Sequence, residues 1–342
     1  MSIRHRTMMP KDVRECAEII ATHPVVGPRY GNAIKDLRPA WLRLLHCEAK
    51  VAAVLEEVIG SHTTICFVGV SVFVGDDFVR EMKTPPLRWV GPELTTRLMR
   101  EDSPLLSDKQ VREANSGAGL NLVVWEGCIR PGFEQNTEIH RGILNLFVHE
   151  HRGYLWNEVH AQQIESVERL EWTLKTGGQI WNPEAGRWVE SLEKDPREFI
   201  DEPHIVGITR KVEHSRPGSW VGALFDYHPP QCGFSRSEQQ MLLIARDGGT
   251  DQELSQNLRV SVPTVKKMWL SIYRRVADHL PALSANQSQP DVWSVRRGKE
   301  KKRGLLAYLR EHPEELRPVC RRRTPIGQIG ERKSRRRLEV RL

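Results

Sequence analysis

Residues 234–276 read FSRSEQQMLLIARDGGTDQELSQNLRVSVPTVKKMWLSIYRRV. Two capping boxes stand out in this segment, Ser235 with Glu238 and Thr250 with Glu253. In each box the hydroxyl accepts a hydrogen bond from the third helical amide, and the carboxylate accepts one from the amide of the capping residue. Both spacings therefore predict helix starts.

A third helix start and a helix exit complete the pattern. Ser261 predicts the third start, and Gly248 ends the first helix because glycine accepts the left-handed conformation with little strain. Apolar residues recur every three to four positions, with Leu254 on the second helix and Val265 on the third. Short amphipathic helices of this kind can bury their apolar faces only against each other, so the segment predicts an all-α bundle.

The third helix, expected at about residues 262–276, presents donor-rich side chains outward. These are Thr264, Lys266, Lys267, Ser271, Arg274 and Arg275. Cations and hydroxyls of this kind bind phosphates and base edges. A lone charge run on a helix is most often only solvated, but its place on the third helix of a capped triplet favours DNA binding.

The segment resembles the LuxR-type helix-turn-helix domain of bacterial transcription regulators over about fifty residues. The matching positions are Phe234, Ser235, Glu238, Gly248, Glu253, Leu254, Ser255, Ser261, Thr264, Val265 and Lys266. The resemblance implies that Thr264, Lys266 and Lys267 face the major groove, while Glu253 and Val265 hold the helices together. It also implies double-stranded DNA as a partner, with RNA polymerase and a second copy of the chain as candidate partners.

Charge is distributed unevenly along the chain. Its 342 residues carry 51 Lys plus Arg and 44 Asp plus Glu, a formal net charge of +7. Residues 1–233 hold 27 basic and 32 acidic side chains, whereas residues 296–342 hold 17 basic and 6 acidic side chains. Clustered cations gain affinity for nucleic acid through counterion release, so the C-terminal third is the expected DNA-binding part. The chain shows no signal peptide and no membrane span, which predicts a cytoplasmic protein without a membrane partner.

The first 228 residues alternate between strand and helix signals. Strands are predicted at residues 3–6, 51–58, 65–74 and 120–125, and helices at residues 12–21, 92–99, 138–150 and 161–174. Residues 205–212 and 220–227 are predicted to pair as a hairpin. The expected fold is a mixed α/β (α+β) domain over residues 1–228, followed by a proline-containing linker at residues 229–233.

This opening order is similar to the N-acetyltransferase (GNAT) fold over about residues 1–190. In that fold a glycine-rich loop after the central strand binds the pyrophosphate of acetyl-CoA with its bare amides. The segment assigned to this loop, residues 148–156, has a single glycine, Gly153. We therefore expect a domain reused for sensing or docking, which is not an enzyme and has no catalytic residues and no cofactor.

His149, Glu150, His151 and His160 offer side chains that bind divalent metals. Their spacing matches no zinc signature, and adjacent helical residues point in different directions, so no metal site is predicted. The six cysteines show no paired spacing, which predicts reduced thiols. The ten tryptophans are expected to fill the core, and an aromatic-lined pocket for an unknown apolar effector is the open alternative.

Three segments follow the third helix. The DNA-binding domain is expected to end near residue 283, and residues 284–290 form a polar connection. Residues 297–311 are predicted to form a basic amphipathic helix whose apolar face carries Leu305, Leu306 and Leu309. This helix either packs on the bundle or joins two monomers. The basic tail after residue 320 cannot bury a core and is predicted to be disordered.

These patterns predict a sequence-specific transcriptional regulator whose N-terminal domain senses an unknown signal. Two alternatives stay open. One is an acyl-CoA-dependent N-acyltransferase fused to a DNA-binding module, and the other is a helix-turn-helix that docks protein. Acetyl-CoA binding and turnover would separate the first alternative from a regulator without enzymatic activity.

Overall fold

The structure is a computed structural model that describes residues 2–162, 171, 174–175, 177–190, 202–213, 220–279 and 298–320. Most of the helix predicted at residues 161–174, the polar connection at residues 284–290 and the tail after residue 320 lie outside the described residues. Within these ranges, no helix combines the length and the apolar character needed to cross a membrane.

An eight-stranded sheet in the order β1-β2-β3-β4-β5-β8-β6-β7 forms the N-terminal part of the described chain. The strands are β1 (Ser2–Thr7), β2 (Lys50–Ile59), β3 (His62–Val74), β4 (Leu120–Ile129), β5 (Trp156–Ala161), β6 (Gln179–Asn182), β7 (Arg187–Val189) and β8 (Val206–Thr209). Strands β1 to β4 are antiparallel, and β4 pairs with β5 in parallel. The remaining pairings are antiparallel.

Helices accompany this sheet. They are α1 (Val13–Thr22), α2 (Val26–Tyr30), α3 (Ile34–Leu44), α4 (Asp76–Met82), α5 (Val90–Met99), α6 (Asp108–Ala114), α7 (Thr137–His151), α8 (Arg210–Glu213) and α9 (Trp220–Phe225). Side chains alternate between the two faces of each strand. Val54 of β2 therefore packs with the cluster that includes α1 and α3, whereas the next residue, Leu55, packs with the cluster that includes α7.

The N-terminal part is a mixed α/β sheet domain, which confirms the fold class expected for it. The predicted hairpin is wrong. Residues 206–209 form β8, which pairs with β5 and β6, and Trp220–Phe225 is the helix α9. Apolar alternation shows that a segment fits a sheet, but the choice of partner strand depends on contacts distant in sequence.

The C-terminal region is helical. Its elements are α10 (Arg236–Arg246), α11 (Asp251–Leu258), α12 (Val262–His279), α13 (Gly298–Glu311) and a short 3-10 turn (Pro313–Leu316). Both predicted capping boxes are present, and Gly248 has a positive φ of 95°. Met241, Leu254, Val265 and Leu305 share one core, so α13 packs back on the bundle within the same chain.

The two parts of the chain are tied together through the segment after α13. The Glu315 carboxylate accepts hydrogen bonds from the amides of Gln231 and Cys232 at 2.9 and 3.0 Å. Arg317 donates to the carbonyl of Arg152 at 2.9 Å and lies 4.5 Å from the ring centre of Tyr154. The linker predicted at residues 229–233 is therefore anchored.

Candidate functional site

Strand β4 extends beyond the residues that pair with β5, which ends at Ala161. Their parallel pairing runs from Leu120 opposite Trp156 to Val123 opposite His160. Beyond this point a cavity of about 860 Å³ opens between the strands and continues under α7. Most of its lining side chains are apolar, as expected for a small-molecule pocket. They include Val51, Phe67, Val124, Trp125, Ile143, Leu146, Phe147, Val159 and Ile208.

A β-bulge in β4 shapes the wall of the cavity. Val70 of β3 lies opposite Glu126 and the next residue, Ser71, lies opposite Val124, so Trp125 is the extra residue on β4. A bulge bends its strand and re-aims the neighbouring side chains. Glu126 consequently lies in the cavity wall, in the part of β4 that has no strand partner on the β5 side among the described residues.

Glu126 is the titratable group best suited to proton transfer in this cavity. Its Oε1 accepts a hydrogen bond from the Tyr30 hydroxyl at 2.8 Å. Burial raises the pKa of the carboxyl to about 7, against the opposing effects of Tyr30 and the positive charge of Arg29. Burial also raises the pKa of Tyr30 well above its usual value, so this hydroxyl stays a donor. A base with a pKa near neutrality is well matched to general base catalysis.

Two facing glycines make room beside Glu126. Gly69 of β3 and Gly127 of β4 are register partners, and both line the cavity. A Cβ on Gly127 would meet only the Phe67 ring, at 3.6 Å. The space above this glycine pair therefore belongs to the cavity, and a larger side chain at residue 127 would fill it.

The mouth of the cavity lies near the start of α7. The chain from Arg130 to Asn136 joins β4 to α7, whereas residues 148–156, predicted as the loop after the central strand, run from the end of α7 to the first residue of β5. Asn136 caps α7 by accepting from the Glu138 amide at 3.0 Å.

Nitrogen-bearing side chains, two of them arginines, surround this mouth. His140 and Arg141 of α7 line the cavity together with Arg29, whose guanidinium lies 4.4 Å from the Trp89 ring centre. Arg141 is paired with Glu138 at 2.9 Å on the surface. Positive groups at the N-terminal end of a helix favour anionic ligand groups, because the helix dipole acts in the same direction.

The inner end of the cavity is formed by the last residues of α7. Glu150 and His151 both line it and both are buried. His151 Nδ1 donates to the Phe147 carbonyl at 2.7 Å, which leaves Nε2 unprotonated in the neutral ring. Burial lowers the pKa of His151 to about 4, so the ring stays neutral near pH 7.

The histidine and carboxylate cluster seen in the sequence separates in the structure. His149 and Glu150 meet His5 of β1, with ligand atoms within 4.8 Å of one another. Burial and then the charge of Arg246 lower the pKa of His149 to about 3, and this positive surrounding disfavours a bound cation. His160 lies elsewhere, with Nε2 3.1 Å from Glu158 and its ring stacked on Trp188. We propose no metal here.

The predicted DNA-contacting residues divide into two groups. Lys266, Lys267 and Arg274 are exposed on α12, and Thr264 is half-buried beside Ser261. Contact of these four residues with DNA stays a prediction.

The other group bonds within the bundle. Ser271 donates to the Glu238 carboxylate at 2.8 Å, and Arg275 pairs with the same carboxylate at 3.2 Å. Glu238 thus joins the N-terminal end of α10 to α12 in addition to closing its capping box. DNA contacts by Ser271 and Arg275 stay predictions as well.

No protein-family model matches the chain, and neither does any curated protein sequence. Similar solved structures include an uncharacterized protein from Bacillus halodurans, with 12% identity and a TM-score of 0.36 over 65% of this chain and 92% of that one. Aminoglycoside acetyltransferase AAC(6')-Ib bound to paromomycin and acetyl-CoA has 11% identity and a TM-score of 0.33, over 64% and 99% of the two chains. The loading GNATL domain of CurA from Lyngbya majuscula has 8% identity and a TM-score of 0.36, and the match covers 63% of this chain and 100% of that domain.

The expectation that this chain is not an enzyme is corrected here. The similar structures include acetyltransferases and a GNAT-like decarboxylase in complex with isobutyryl-CoA. At 8 to 12% identity and TM-scores no higher than 0.36, these matches do not assign an activity to this chain. The case for a particular activity therefore depends on the cavity and its residues.

Proposed function

We propose that the N-terminal domain is an acyl-CoA-dependent N-acyltransferase and that the C-terminal helical bundle is a DNA-binding module of the same chain. The observation that carries the first part is Glu126, a carboxyl with a pKa of about 7 in the wall of a largely apolar cavity. An apolar cleft with a few convergent polar groups and a perturbed pKa is typical of an active site.

An acyl-CoA fits the distribution of groups along this cavity. The edge of β4 beyond Val123 offers peptide groups to the amides of an extended pantetheine arm, as strand edges do for extended peptides. The guanidinium groups of Arg29 and Arg141 at the mouth suit the phosphates of the nucleotide end, and His140 offers a ring nitrogen beside them. The apolar lining under α7 suits the acyl group.

Glu126 supplies the proton transfer in this proposal. The acceptor amine attacks the thioester carbonyl as Glu126 takes its proton, so a C–N bond forms. The C–S bond then breaks, and the CoA sulfur leaves and becomes the thiol by taking up the proton that Glu126 removed from the amine, which returns Glu126 to the carboxylate. Tyr30 orients the carboxylate by its hydrogen bond and remains protonated throughout.

Calorimetric titration of the full chain with acetyl-CoA tests binding, and release of CoA thiol in the presence of primary amines tests turnover. We expect saturable binding to one site per chain and thiol release that depends on the amine. The absence of binding would overturn the acyltransferase proposal.

The DNA-binding proposal is supported by the exposed cations Lys266, Lys267 and Arg274 on the third helix of a capped bundle. Selection of fragmented genomic DNA on the full chain near physiological salt tests it. Enrichment of a few fragments indicates a sequence-specific reader. Retention of no DNA would contradict this part of the proposal and favour a protein-docking helix-turn-helix.

A further inference from the structure

One carboxylate is shared between the cavity and the helical bundle. Glu150 lines the inner end of the cavity, and its Oε1 accepts a hydrogen bond from Arg246 Nη2 at 2.7 Å. Arg246 is the last residue of α10, and its side chain is 2% exposed, while that of Glu150 is 7% exposed. A buried ion pair therefore connects the wall of the cavity directly to the bundle.

The same junction holds the turn between α10 and α11. Arg246 Nε donates to Asp247 Oδ1 at 3.0 Å. Asp247 Oδ2 accepts from the amide and the hydroxyl of Thr7 on β1, at 3.0 and 2.9 Å. Gly248, the helix exit, follows at once. The orientation of α10 relative to the sheet thus depends on charged groups that meet at Glu150.

A buried ion pair is strongly affected by a competing partner. Breaking such a pair leaves an uncompensated buried charge, which destabilises the arrangement that contains it. Arg246 Nη1 has no hydrogen-bond partner among the described residues, so the charge of the guanidinium is balanced by Glu150 and Asp247. A cavity ligand whose N–H or O–H group reaches Glu150 would bind differently to the paired and unpaired states, which is the condition for shifting an equilibrium.

We propose that the cavity is also an effector site, and that acyl-CoA bound there changes the DNA affinity of the bundle through the Glu150–Arg246 pair. This inference rests on both parts of the proposed function. Coupling between two binding sites is reciprocal, so DNA must change the affinity for acyl-CoA by the same factor.

The test uses the full chain with acetyl-CoA as the ligand probe and a mixed-sequence 30-base-pair duplex as the DNA probe. Binding of each probe alone is measured first by calorimetry and fluorescence anisotropy. Each dissociation constant is then measured with the other probe at saturation. We expect both constants to change by the same factor, about 5-fold or more.

Two variants locate the coupling. The double variant Glu150→Gln with Arg246→Met replaces the ion pair by neutral groups of similar size, a change that buried pairs often tolerate. It should bind both probes with a coupling factor near one. The matched control is Arg236→Met, which removes another contact between bundle and sheet domain, 3.0 Å from Glu48 and 2.8 Å from Asp108. It should keep the coupling.

The outcomes separate the inference from the proposed function. Binding of both probes with no mutual effect in the unaltered chain overturns the inference alone, and this measurement requires no variant. Coupling that persists in a folded double variant also overturns it, because another route would then connect the sites. Failure to bind acetyl-CoA or DNA overturns the corresponding part of the proposed function, and the inference with it.

Discussion

The Tyr30 hydroxyl of α2 donates to the Glu126 carboxylate of β4 at 2.8 Å, and Gly91 of α5 packs against both groups. A Cβ at residue 91 would collide with the Tyr30 hydroxyl and would lie 2.8 Å from Glu126 Oε1. Three elements distant in sequence therefore meet at one carboxyl. Their packing directs Glu126 into the cavity and excludes water from one side of it.

Replacing Glu126 by Gln removes the proposed base while keeping its size and a hydrogen-bonding oxygen. We expect turnover of acetyl-CoA with an amine to fall by roughly 10²- to 10⁴-fold, with acetyl-CoA affinity nearly unchanged. In the native protein the rate should rise with pH through about 7, because the carboxylate form is the base. Comparable turnover by the two proteins at pH 8 would exclude Glu126 as the base.

Gly127→Leu should plug the cavity. The new side chain would extend into the space beside Phe67, so acetyl-CoA binding should be lost while the thermal unfolding transition is largely retained. Gly127→Ala is the matched control, since its Cβ makes only an ordinary contact at 3.6 Å. If calorimetry shows equal affinity in the leucine variant, the ligand binds elsewhere.

Acid should destabilise the fold through His151. Its pKa is lowered to about 4 in the folded chain, while an unfolded histidine titrates near 6.5. Stability is therefore unaffected by this group above pH 6.5 and falls as the pH decreases towards 4, by an amount on the order of 1 kcal/mol at pH 5.5. Glu126 has a pKa raised to about 7, so its effect on stability has the opposite sign: its contribution becomes more favourable as the pH falls.

The measurement is therefore a difference between proteins. Denaturant unfolding from pH 7.5 to 5 should show a smaller loss of stability for His151→Phe than for the native chain. Equal pH dependence would mean that this ring is protonated as readily in the folded protein as in the unfolded one.

Thr250→Ala should destabilise the bundle by about 1 kcal/mol. The Thr250 hydroxyl accepts from the Glu253 amide at 3.3 Å, and the Glu253 carboxylate accepts from the Thr250 amide at 2.8 Å. Thr250→Ser keeps the hydroxyl and should retain most of that stability. Denaturant unfolding followed by Trp fluorescence checks the difference, and identical midpoints for alanine and serine would contradict a capping role.

Replacing Lys266 and Lys267 together by Ala should weaken DNA binding by more than about tenfold and reduce its salt dependence, because two phosphate-binding cations are lost. The thermal unfolding transition should stay nearly the same, since both side chains are exposed. Replacing Lys35 and Lys109 together by Ala, an equal loss of charge on the exposed surfaces of α3 and α6, is the control. A similar loss of affinity in this control would indicate a general charge effect.

Predictions from local chemistry agree with the structure, and those that needed distant partners often do not. The capping boxes at Ser235 and Thr250 could be predicted because each involves residues within one turn. The environment of residues 205–212 and 220–227 could not, because apolar alternation does not specify a partner: residues 206–209 pair with β5 and β6, and Trp220–Phe225 is a helix.

Within the candidate site, Glu126 and Tyr30 escaped sequence analysis. A single Glu in an alternating strand is indistinguishable from a solvent-facing residue, and Tyr30 lies 96 positions away. No motif joins them. A polar residue within the apolar run of residues 120–129 is the one signal that could have drawn attention to Glu126.

By itself the sequence determined the helix starts of the bundle, the apolar strands and the positive C-terminal third, since these depend on residues close together in the chain or on composition alone. Tertiary packing alone sets the cavity beyond the paired part of β4 and β5, the position of Glu126 in its wall, and the pairing of Glu150 with Arg246. Each of these features depends on the packing of elements far apart in sequence, which brings charges and cavities together that local propensity cannot specify.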